Sequence, residues 1–419
     1  ALAKRPYEDP IRRNAPELKL SYDQYRSIRF RSDAAIWNGE NRTFTMDLFY
    51  PGFIFNVPVN INLVVARMAR RVPFTNDFFE SDANALVASG QDTGYSGFRV
   101  RAPINRADYA PTIYPPVAQW IFFLVTRLSD TMTAMKAAMV GFDIVTIGAL
   151  IAILHRLGRP LLFVAAYAWH PLPIWEIAGN GHIDAAMLAL LMWSLWFALA
   201  GRAYAGGALA TAAALVKPTA LLALPVYWRP WDWRLVLLVG GLGALLYVPF
   251  LSARWGVLGF GQGYLREEGL LTGTGLWLPQ LFVPAQPLPT WLVVTLYGIG
   301  ALALAGLALQ AGFRRDRSPA TSIGSLLLLL LLFMEILAPN YPWYFLVLTA
   351  FLPLSPAVSP WILPTLAFAF YDVIGPADPT WIPLRMTKVT VYLLTSIAIV
   401  YDIRSGRLPS LIGRRMVSE

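Results

Sequence analysis

The sequence predicts an all-α polytopic membrane protein that carries a short β-rich extension at its N-terminus. Apolar residues make up 56% of the 419 residues and charged residues only 14%, whereas a soluble protein has about a quarter charged residues. Long apolar runs dominate the chain from about Tyr114 onward, and the stretch before them is polar. We therefore expect two parts, a β-rich segment over residues 1–108 and a transmembrane domain over residues 109–419.

The charge and the cysteine content narrow the class of protein further. The net charge is +9, but the arginine clusters lie at the ends of apolar runs. That pattern is typical of the positive-inside rule, so we expect membrane lipid as a partner and no nucleic acid. Because the chain has no cysteine, disulfides and thiolate metal sites are excluded, and no metal-binding set is predicted.

The first hundred residues contain strand-like and turn-like stretches. Residues 23–27 are predicted to form a short helix. Residues 44–50 and 53–65 resemble two strands joined by the turn at Pro51 and Gly52. Further strands are expected at residues 72–75 and 97–101. No cluster of side chains in this segment has a catalytic pattern.

Four motifs in this segment carry a resemblance to a known family. They are Leu-Ser-Tyr-Asp-Gln-Tyr-Arg-Ser-Ile-Arg-Phe-Arg from residue 20, Leu-Phe-Tyr-Pro-Gly-Phe-Ile-Phe from residue 48, Val-Pro-Phe-Thr from residue 72, and Gly-Tyr-Ser-Gly-Phe-Arg-Val-Arg from residue 94. They look like the start of mature osmoregulated periplasmic glucan biosynthesis protein G. The resemblance implies a periplasmic location and part of a β-sandwich that handles β-1,2-glucans. It covers about the first fifth of such a protein, so it assigns no catalytic residue here.

About nine apolar runs of the second part are predicted to cross the membrane. They are residues 135–155, 161–178, 183–199, 235–251, 291–311, 323–337, 345–354, 361–371 and 386–403. Residues 120–128 are too short to cross and are expected to be re-entrant or to lie on the surface. Residues 209–227 are interrupted by Lys217 and Pro218, which favours a broken hairpin.

The basic clusters give this map an orientation. Every cluster after Asp130 falls on one side, and we assign that side to the cytoplasm of a bacterium. The protein is thus expected to be a multi-pass inner-membrane protein. The N-terminal segment and the opposite face would be periplasmic.

The junction between residues 161–178 and 183–199 is the predicted functional site. Glu176, His182 and Asp184 gather there among glycines and prolines. Ionisable groups on membrane segments are costly and commonly mark a site. The alternative for these three residues is that they hydrogen-bond helix ends and have only a structural role.

The same face gathers side chains that suit a sugar and a phosphate. A carboxylate can accept the proton of an acceptor hydroxyl, a cation can hold a leaving phosphate, and aromatic rings stack on sugars. Glu176, Asp184 and Asp108 are the catalytic candidates. The candidates for substrate binding are His182, Lys217, Arg266, Glu267, Asn340, Tyr341 and Trp343. The alternative for Tyr341 and Trp343, and the more common role of such residues, is an aromatic belt at the membrane surface.

Four motifs in this part carry a second resemblance. Residues 104–119 contain Tyr-Pro-Pro, residues 169–184 contain Glu-Ile-Ala-Gly-Asn-Gly-His-Ile-Asp, residues 215–225 begin Leu-Val-Lys-Pro-Thr, and residues 339–344 are Pro-Asn-Tyr-Pro-Trp-Tyr. Over about residues 104–403 the chain looks like the GT-C membrane glycosyltransferases of the bacterial mannosyltransferase type. The resemblance implies inverting transfer of a hexose, with mannose the first candidate, from a polyprenyl-phosphate donor at the periplasmic face. No other cofactor is implied.

The order of the motifs departs from that family in one respect. A transmembrane helix and a loop with the catalytic aspartate normally precede the Tyr-Pro-Pro segment. Here the glucan-protein-like stretch stands in their place, as a fusion or as a composite sequence, and Asp108 is the candidate replacement base. Two other functions therefore stay open, a non-catalytic accessory subunit that joins other subunits in a larger membrane assembly and a component of periplasmic glucan biosynthesis.

Overall fold

The chain forms two compact units, Ala1–Ala110 and Pro111–Glu419, in the computed structural model. The structure describes residues 20–40, 44–53, 59–65, 68–81, 86, 94–101, 113–258, 265, 268–282, 288–371 and 382–409. The first unit is a set of short strands, and the second is helical.

The described part of the first unit contains one short α-helix and six short strands. The helix α1 spans Tyr22–Ser27, and the strands are β1 (Ile28–Phe30), β2 (Thr45–Phe49), β3 (Asn62–Val65), β4 (Met68–Arg71), β5 (Phe79–Ser81) and β6 (Gly97–Arg101). They pair antiparallel as β1 with β5, β2 with β6 and β3 with β4. The predicted short helix and the predicted strand at 97–101 are confirmed.

One strand prediction in this unit is wrong, and one is confirmed in part. Residues 44–50 contain β2, and residues 62–65 of the predicted strand 53–65 form β3. Among the described residues β2 pairs with β6 rather than with β3, which places Asp47 opposite Arg99. The buried Asp47 carboxylate accepts from the Nε atoms of Arg99 at 2.7 Å and Arg101 at 2.5 Å, which favours this register. Residues 72–75 form no strand. Pro73 within them has no N–H for a ladder, and its carbonyl accepts from the Tyr95 hydroxyl at 2.7 Å.

The second unit contains nine α-helices of eight or more residues within its described part. They are α2 (Pro116–Leu128), α3 (Met132–Arg156), α4 (Asp184–Leu199), α5 (Ala203–Ala214), α6 (Trp233–Tyr247), α7 (Thr290–Phe313), α8 (Pro319–Leu337), α9 (Ser359–Leu366) and α10 (Ile382–Arg404). The short helix predicted near residues 120–128 is α2. The predicted break at Lys217 is confirmed, since α5 ends at Ala214 and a 3₁₀ segment follows at Pro218–Ala223.

The nine predicted crossings are not all present as helices of spanning length. Five helices among the described residues are long and apolar enough to cross a membrane, or six if one bent pair counts as a span. That pair is Leu161–Ala168 and Pro171–Gly179, which meet at 52°. Helix α4 and the segment Ser359–Phe370 are shorter. Proline limits the latter, because Pro364 lies inside α9.

Hydrogen bonds link the ends of helices on the side that carries the basic clusters, which is predicted to be cytoplasmic. Arg156 donates to the Leu199 carbonyl at 3.1 Å, and Arg159 donates to the Leu354 carbonyl at 2.7 Å. Arg317 donates through its guanidinium to four carbonyls, those of Val226, Trp228, Gly312 and Arg314. The ends of several helices therefore meet at this end of the unit.

Helices α4 and α5 approach each other closely at Gly206. Ten of the 16 residues of α4 are buried. Gly206 lies on α5 where an added Cβ would be 2.9 Å from the Ser194 carbonyl oxygen. Real Cβ atoms essentially never come that close to backbone, so the approach of the two helices requires glycine there.

A buried carboxylate caps helix α9 from the neighbouring helix α10. The side chain of Asp402 accepts from the backbone N–H groups of Val358, at 2.9 Å, and Ser359, at 2.7 Å. These N–H groups have no partner within α9, because a helix leaves its first donors unpaired. A charged acceptor from another helix therefore satisfies this N-terminus.

We expect Asp402→Ala to lower the melting temperature of the purified protein in detergent. The change removes two charge-assisted hydrogen bonds and leaves a buried N–H without an acceptor, which costs about 2 kcal/mol. Asp402→Asn should recover part of the loss through its amide oxygen. The exposed Asp130→Ala serves as control, and equal melting of the Asp402→Ala and control proteins would contradict the capping role.

Candidate functional site

The break after helix α5 places Lys217 beside Asp184. Pro218 supplies no N–H, and the Leu215 carbonyl instead accepts from the backbone N–H groups of Val117 at 3.0 Å and Ala118 at 3.3 Å. Asp184 occupies the first turn of α4, where the helix dipole favours a negative charge. The Lys217 Nζ and Asp184 Oδ1 atoms are 2.6 Å apart, and both side chains are largely buried.

Lys217 also contacts the ring of Tyr344, whose hydroxyl is hydrogen-bonded to a second carboxylate, that of Glu268. The Lys217 Nζ lies 4.3 Å from the centre of the Tyr344 ring, within the range of a cation–π interaction. The Tyr344 hydroxyl donates to Glu268 Oε1 at 2.9 Å, and Glu268 is buried. The buried carboxylates of Asp184 and Glu268 are thus connected through Lys217 and Tyr344.

Tyr114, the first residue of the Tyr-Pro-Pro segment, lies near the Lys217–Asp184 pair. Burial, and then the nearby Asp184 carboxylate, raise the pKa of Tyr114 above its ordinary value. The Tyr-Pro-Pro segment therefore lies within electrostatic range of the ion pair.

Glu176 is held by three donors at the centre of the 168–186 junction. It is fully buried. It accepts from Asn180 Nδ2 at 2.9 Å, from the Tyr371 hydroxyl, and it lies 3.2 Å from His182 Nε2. Its segment, Ile174–Gly179, is a π-helical turn, a feature that often occurs at functional sites. Such a satisfied carboxylate also fits the structural alternative.

A stack of aromatic rings lies next to Glu176 and begins at its partner His182. The His182 ring stacks on Trp343 with centres 4.6 Å apart, and Trp343 stacks on Tyr341 at 4.5 Å. These three side chains are neither fully buried nor fully exposed. A partly exposed face of parallel rings is suitable for stacking with a sugar.

The predicted site residues form one connected group in the described part of this unit. Asp184 pairs with Lys217, which contacts Tyr344; Tyr344 neighbours Trp343 at 6.2 Å, and Trp343 stacks on His182, the partner of Glu176. Asn340 lies in the same loop, and its buried Oδ1 has no hydrogen-bond partner within the described part of the chain. Asp108, Arg266 and Glu267 lie outside the described residues, so their predicted roles stay predictions.

Three functional candidates were missed as site residues. Tyr344 and Glu268 form the link described above, and Lys388 is a buried lysine in the spanning helix α10. A lone lysine within an apolar run is itself a signal of a site, and that signal was available in the sequence. Among the described residues no group of three or more His, Asp or Glu could hold a metal ion.

Comparison with known proteins confirms both resemblances. Residues 1–114 match the family model of the periplasmic glucan biosynthesis protein MdoG. Residues 107–233 match the family model of the α-(1→6)-mannopyranosyltransferase N-terminal domain, MptA/B family. The second match contains Glu176, His182, Asp184 and Lys217 but ends before the 338–344 loop. The two matches overlap at residues 107–114.

Three similar relatives each match between a quarter and a third of the chain. Glucans biosynthesis protein G of Rhodopseudomonas palustris is 39% identical over 127 residues, which is 30% of this chain and 25% of the relative. The protein of that name from Shewanella frigidimarina is 39% identical over 26% of this chain and 20% of its own. The protein from Bradyrhizobium diazoefficiens is 38% identical over 26% and 22%. The chain thus spans a quarter or less of these relatives.

Proposed function

We propose that the helical unit is a membrane glycosyltransferase that transfers a hexose from a polyprenyl-phosphate donor. The observation that carries the proposal is the buried Lys217–Asp184 pair, 2.6 Å apart, beside a partly exposed stack of aromatic rings. The similarity of residues 107–233 to a mannosyltransferase supports the reaction class and makes mannose the first candidate.

In the proposed reaction Lys217 and Asp184 act on different groups of the substrates. Lys217 binds the donor phosphate, which weakens its hold on Asp184. The Asp184 carboxylate then takes the proton from the acceptor hydroxyl, while that oxygen forms a bond to the anomeric carbon. The bond from the anomeric carbon to the phosphate oxygen breaks, and the phosphate leaves with the electron pair. Attack opposite the leaving group inverts the anomeric carbon.

Glu176 and the aromatic stack have supporting roles in this proposal. Trp343 and Tyr341 hold a sugar face, and Glu176 fixes the His182 ring that extends the stack. We place this side of the unit at the periplasmic face of the inner membrane, because the basic clusters gather at the opposite ends of the helices.

A transfer assay tests the proposal. Purified full-length protein in detergent is mixed with radiolabelled mannosyl- or glucosyl-phosphoryl undecaprenol and with β-1,2-glucan oligosaccharides or membrane lipids as acceptors. We expect Asp184→Asn to lower the rate about 100-fold or more. Trp343→Ala should weaken donor use about tenfold. Asp130→Asn and Trp169→Ala, at exposed positions of the same unit, are the matched controls.

Two results would contradict the proposal. One is an absence of transfer from both donors by the wild-type protein to every acceptor. The other is an equal rate for Asp184→Asn and Asp130→Asn. A copurifying stoichiometric subunit together with no transfer would favour the accessory role.

A role in periplasmic glucan biosynthesis is the second candidate, and the match of residues 1–114 favours it. Binding of β-1,2-glucan by the full chain, measured by calorimetry against a β-1,3-glucan control, would support it. Equal binding of the two glucans, or none, would contradict it. Transfer of the labelled hexose onto the β-1,2-glucan would join the two functions in one protein.

A further inference from the structure

A second group of buried polar side chains lies at the hydroxyl end of Tyr344. Lys388 is only 2% exposed, and its Nζ has no hydrogen-bond partner among the described residues. A buried ammonium without a partner is costly, so its retention in a spanning helix calls for an explanation. The group around it includes the buried carboxylate of Glu268, which is within electrostatic range of Lys388.

The helix face that carries Lys388 packs on elements that also build the candidate site. Tyr392 is one turn further along α10 and therefore shares that face. Its hydroxyl donates to the Pro339 carbonyl at 2.6 Å, next to the loop that bears Trp343 and Tyr344. Its ring stacks on Trp277 with centres 6.3 Å apart. Lys388 is thus directed toward the candidate site rather than toward lipid.

Three further buried polar atoms of these elements have no hydrogen-bond partner among the residues that the structure describes. They are the Tyr297 hydroxyl, Glu335 Oε1 and Asn340 Oδ1. Tyr297 is also within electrostatic range of Glu268. Glu335 adjoins the stacked rings, because its backbone carbonyl accepts from Trp277 Nε1 at 3.2 Å. Asn340 follows Pro339, the acceptor of the Tyr392 hydroxyl.

The chemistry of the four unpaired atoms selects among possible ligands. A metal cation would be repelled by Lys388. An anion would be repelled by Glu268, and it could not donate to Asn340 Oδ1. Hydroxyl groups both donate and accept, so they can satisfy the ammonium and the two acceptor oxygens together. The rings of Trp277 and Tyr392 supply apolar surface beside these polar atoms.

We propose that Lys388, Glu335 and Asn340, with Glu268 and Tyr297, bind the hydroxyl groups of a sugar. This inference rests on the proposed function, which makes a sugar the substrate. Tyr344 connects the two sites, because its ring lies 4.3 Å from Lys217 Nζ and its hydroxyl 2.9 Å from Glu268 Oε1. The phenol ring of Tyr344 therefore separates the hydroxyl subsite from Lys217, the cation proposed to bind the phosphate. This spacing suits the two ends of a glycosyl phosphate.

Binding of a simple glycoside tests the subsite without lipid or phosphate. The purified full chain in detergent is titrated with methyl α-D-mannopyranoside, and in parallel with methyl α-D-glucopyranoside, by saturation-transfer NMR. We expect saturable binding of at least one glycoside. Lys388→Met should weaken that binding about tenfold or more, because it removes a hydrogen bond from a charged donor. Arg202→Met, at an exposed position on the basic side, is the control.

A double variant separates a ligand site from a structural ion pair. In Glu268→Gln/Lys388→Met both charges are removed together, and neutral replacement of a buried pair is often well tolerated. We therefore expect a melting temperature near that of the wild type, with the loss of glycoside binding retained. Wild-type-like binding by the double variant would show that the two residues only balance charge, and it would overturn the proposal.

Other outcomes distinguish this proposal from the proposed function. No saturable binding by the wild type would mean that water alone satisfies these atoms, and it would overturn the subsite. Unchanged binding by Lys388→Met would overturn it as well. Sugar transfer with either of these results would leave the proposed function standing. Lys388-dependent binding without any transfer would support the subsite and contradict the glycosyltransferase activity.

Discussion

Lys217→Met is expected to destabilise the helical unit by about 3 kcal/mol, one of the largest effects of any single change at the site. The substitution leaves the Asp184 carboxylate, 3% exposed, without the ammonium that now lies 2.6 Å away. Removing one partner of a buried pair is costly because the remaining charge keeps its desolvation penalty. Thermal unfolding of the purified protein in detergent would show a fall of several degrees.

The double variant Asp184→Asn/Lys217→Met is the decisive comparison for this prediction. It removes both charges, so most of the lost stability should return. Arg202→Met, which removes an exposed cation, should leave the melting temperature unchanged. A double variant that is no more stable than Lys217→Met would show that the two charges do not stabilise each other.

Gly206→Val is expected to prevent the close packing of helices α4 and α5. The added Cβ would lie 2.9 Å from the Ser194 carbonyl oxygen and 3.2 Å from the Ala198 backbone nitrogen. These atoms belong to a helix backbone and cannot rotate away as a side chain does. Overpacking of this kind costs about 3 kcal/mol or more, and we expect a large fall in the yield of folded protein.

A glycine in another helix provides a matched control for this substitution. Gly241 lies in α6, and an added Cβ there meets nothing within 4 Å. Gly241→Val carries the same β-branched side chain in a helix interior but creates no clash. The measurement is the fraction of monodisperse protein after extraction, together with its melting temperature. Equal values for the two variants would refute the packing argument.

The parts of the fold that depend on local chemistry were predictable from the sequence. Pro218 fixed the position of the break that brings Lys217 beside Asp184, because proline removes a helix N–H wherever it stands. The junction that gathers Glu176, His182 and Asp184 followed from polar residues between two apolar runs. In both cases the signal lies within a few residues of the feature.

The parts that depend on contacts between distant residues were not predictable. Asp47 selects Arg99 as its cross-strand neighbour through burial, and nothing in residues 44–65 indicates that choice. Glu267 and Glu268 are adjacent and equivalent in the sequence, yet only a contact 76 residues away identifies Glu268 as the partner of Tyr344.

Arg317 illustrates a difference between topology and folding. Rules for membrane orientation count arginine and lysine alike. Here the planar guanidinium closes the carbonyl ends of two helical segments at once, with donors directed to Val226, Trp228 and Gly312. The compact ammonium of lysine cannot span that set. Replacing Arg317 with lysine would therefore preserve the orientation signal but leave carbonyl groups at the C-terminal ends of these helices without a donor.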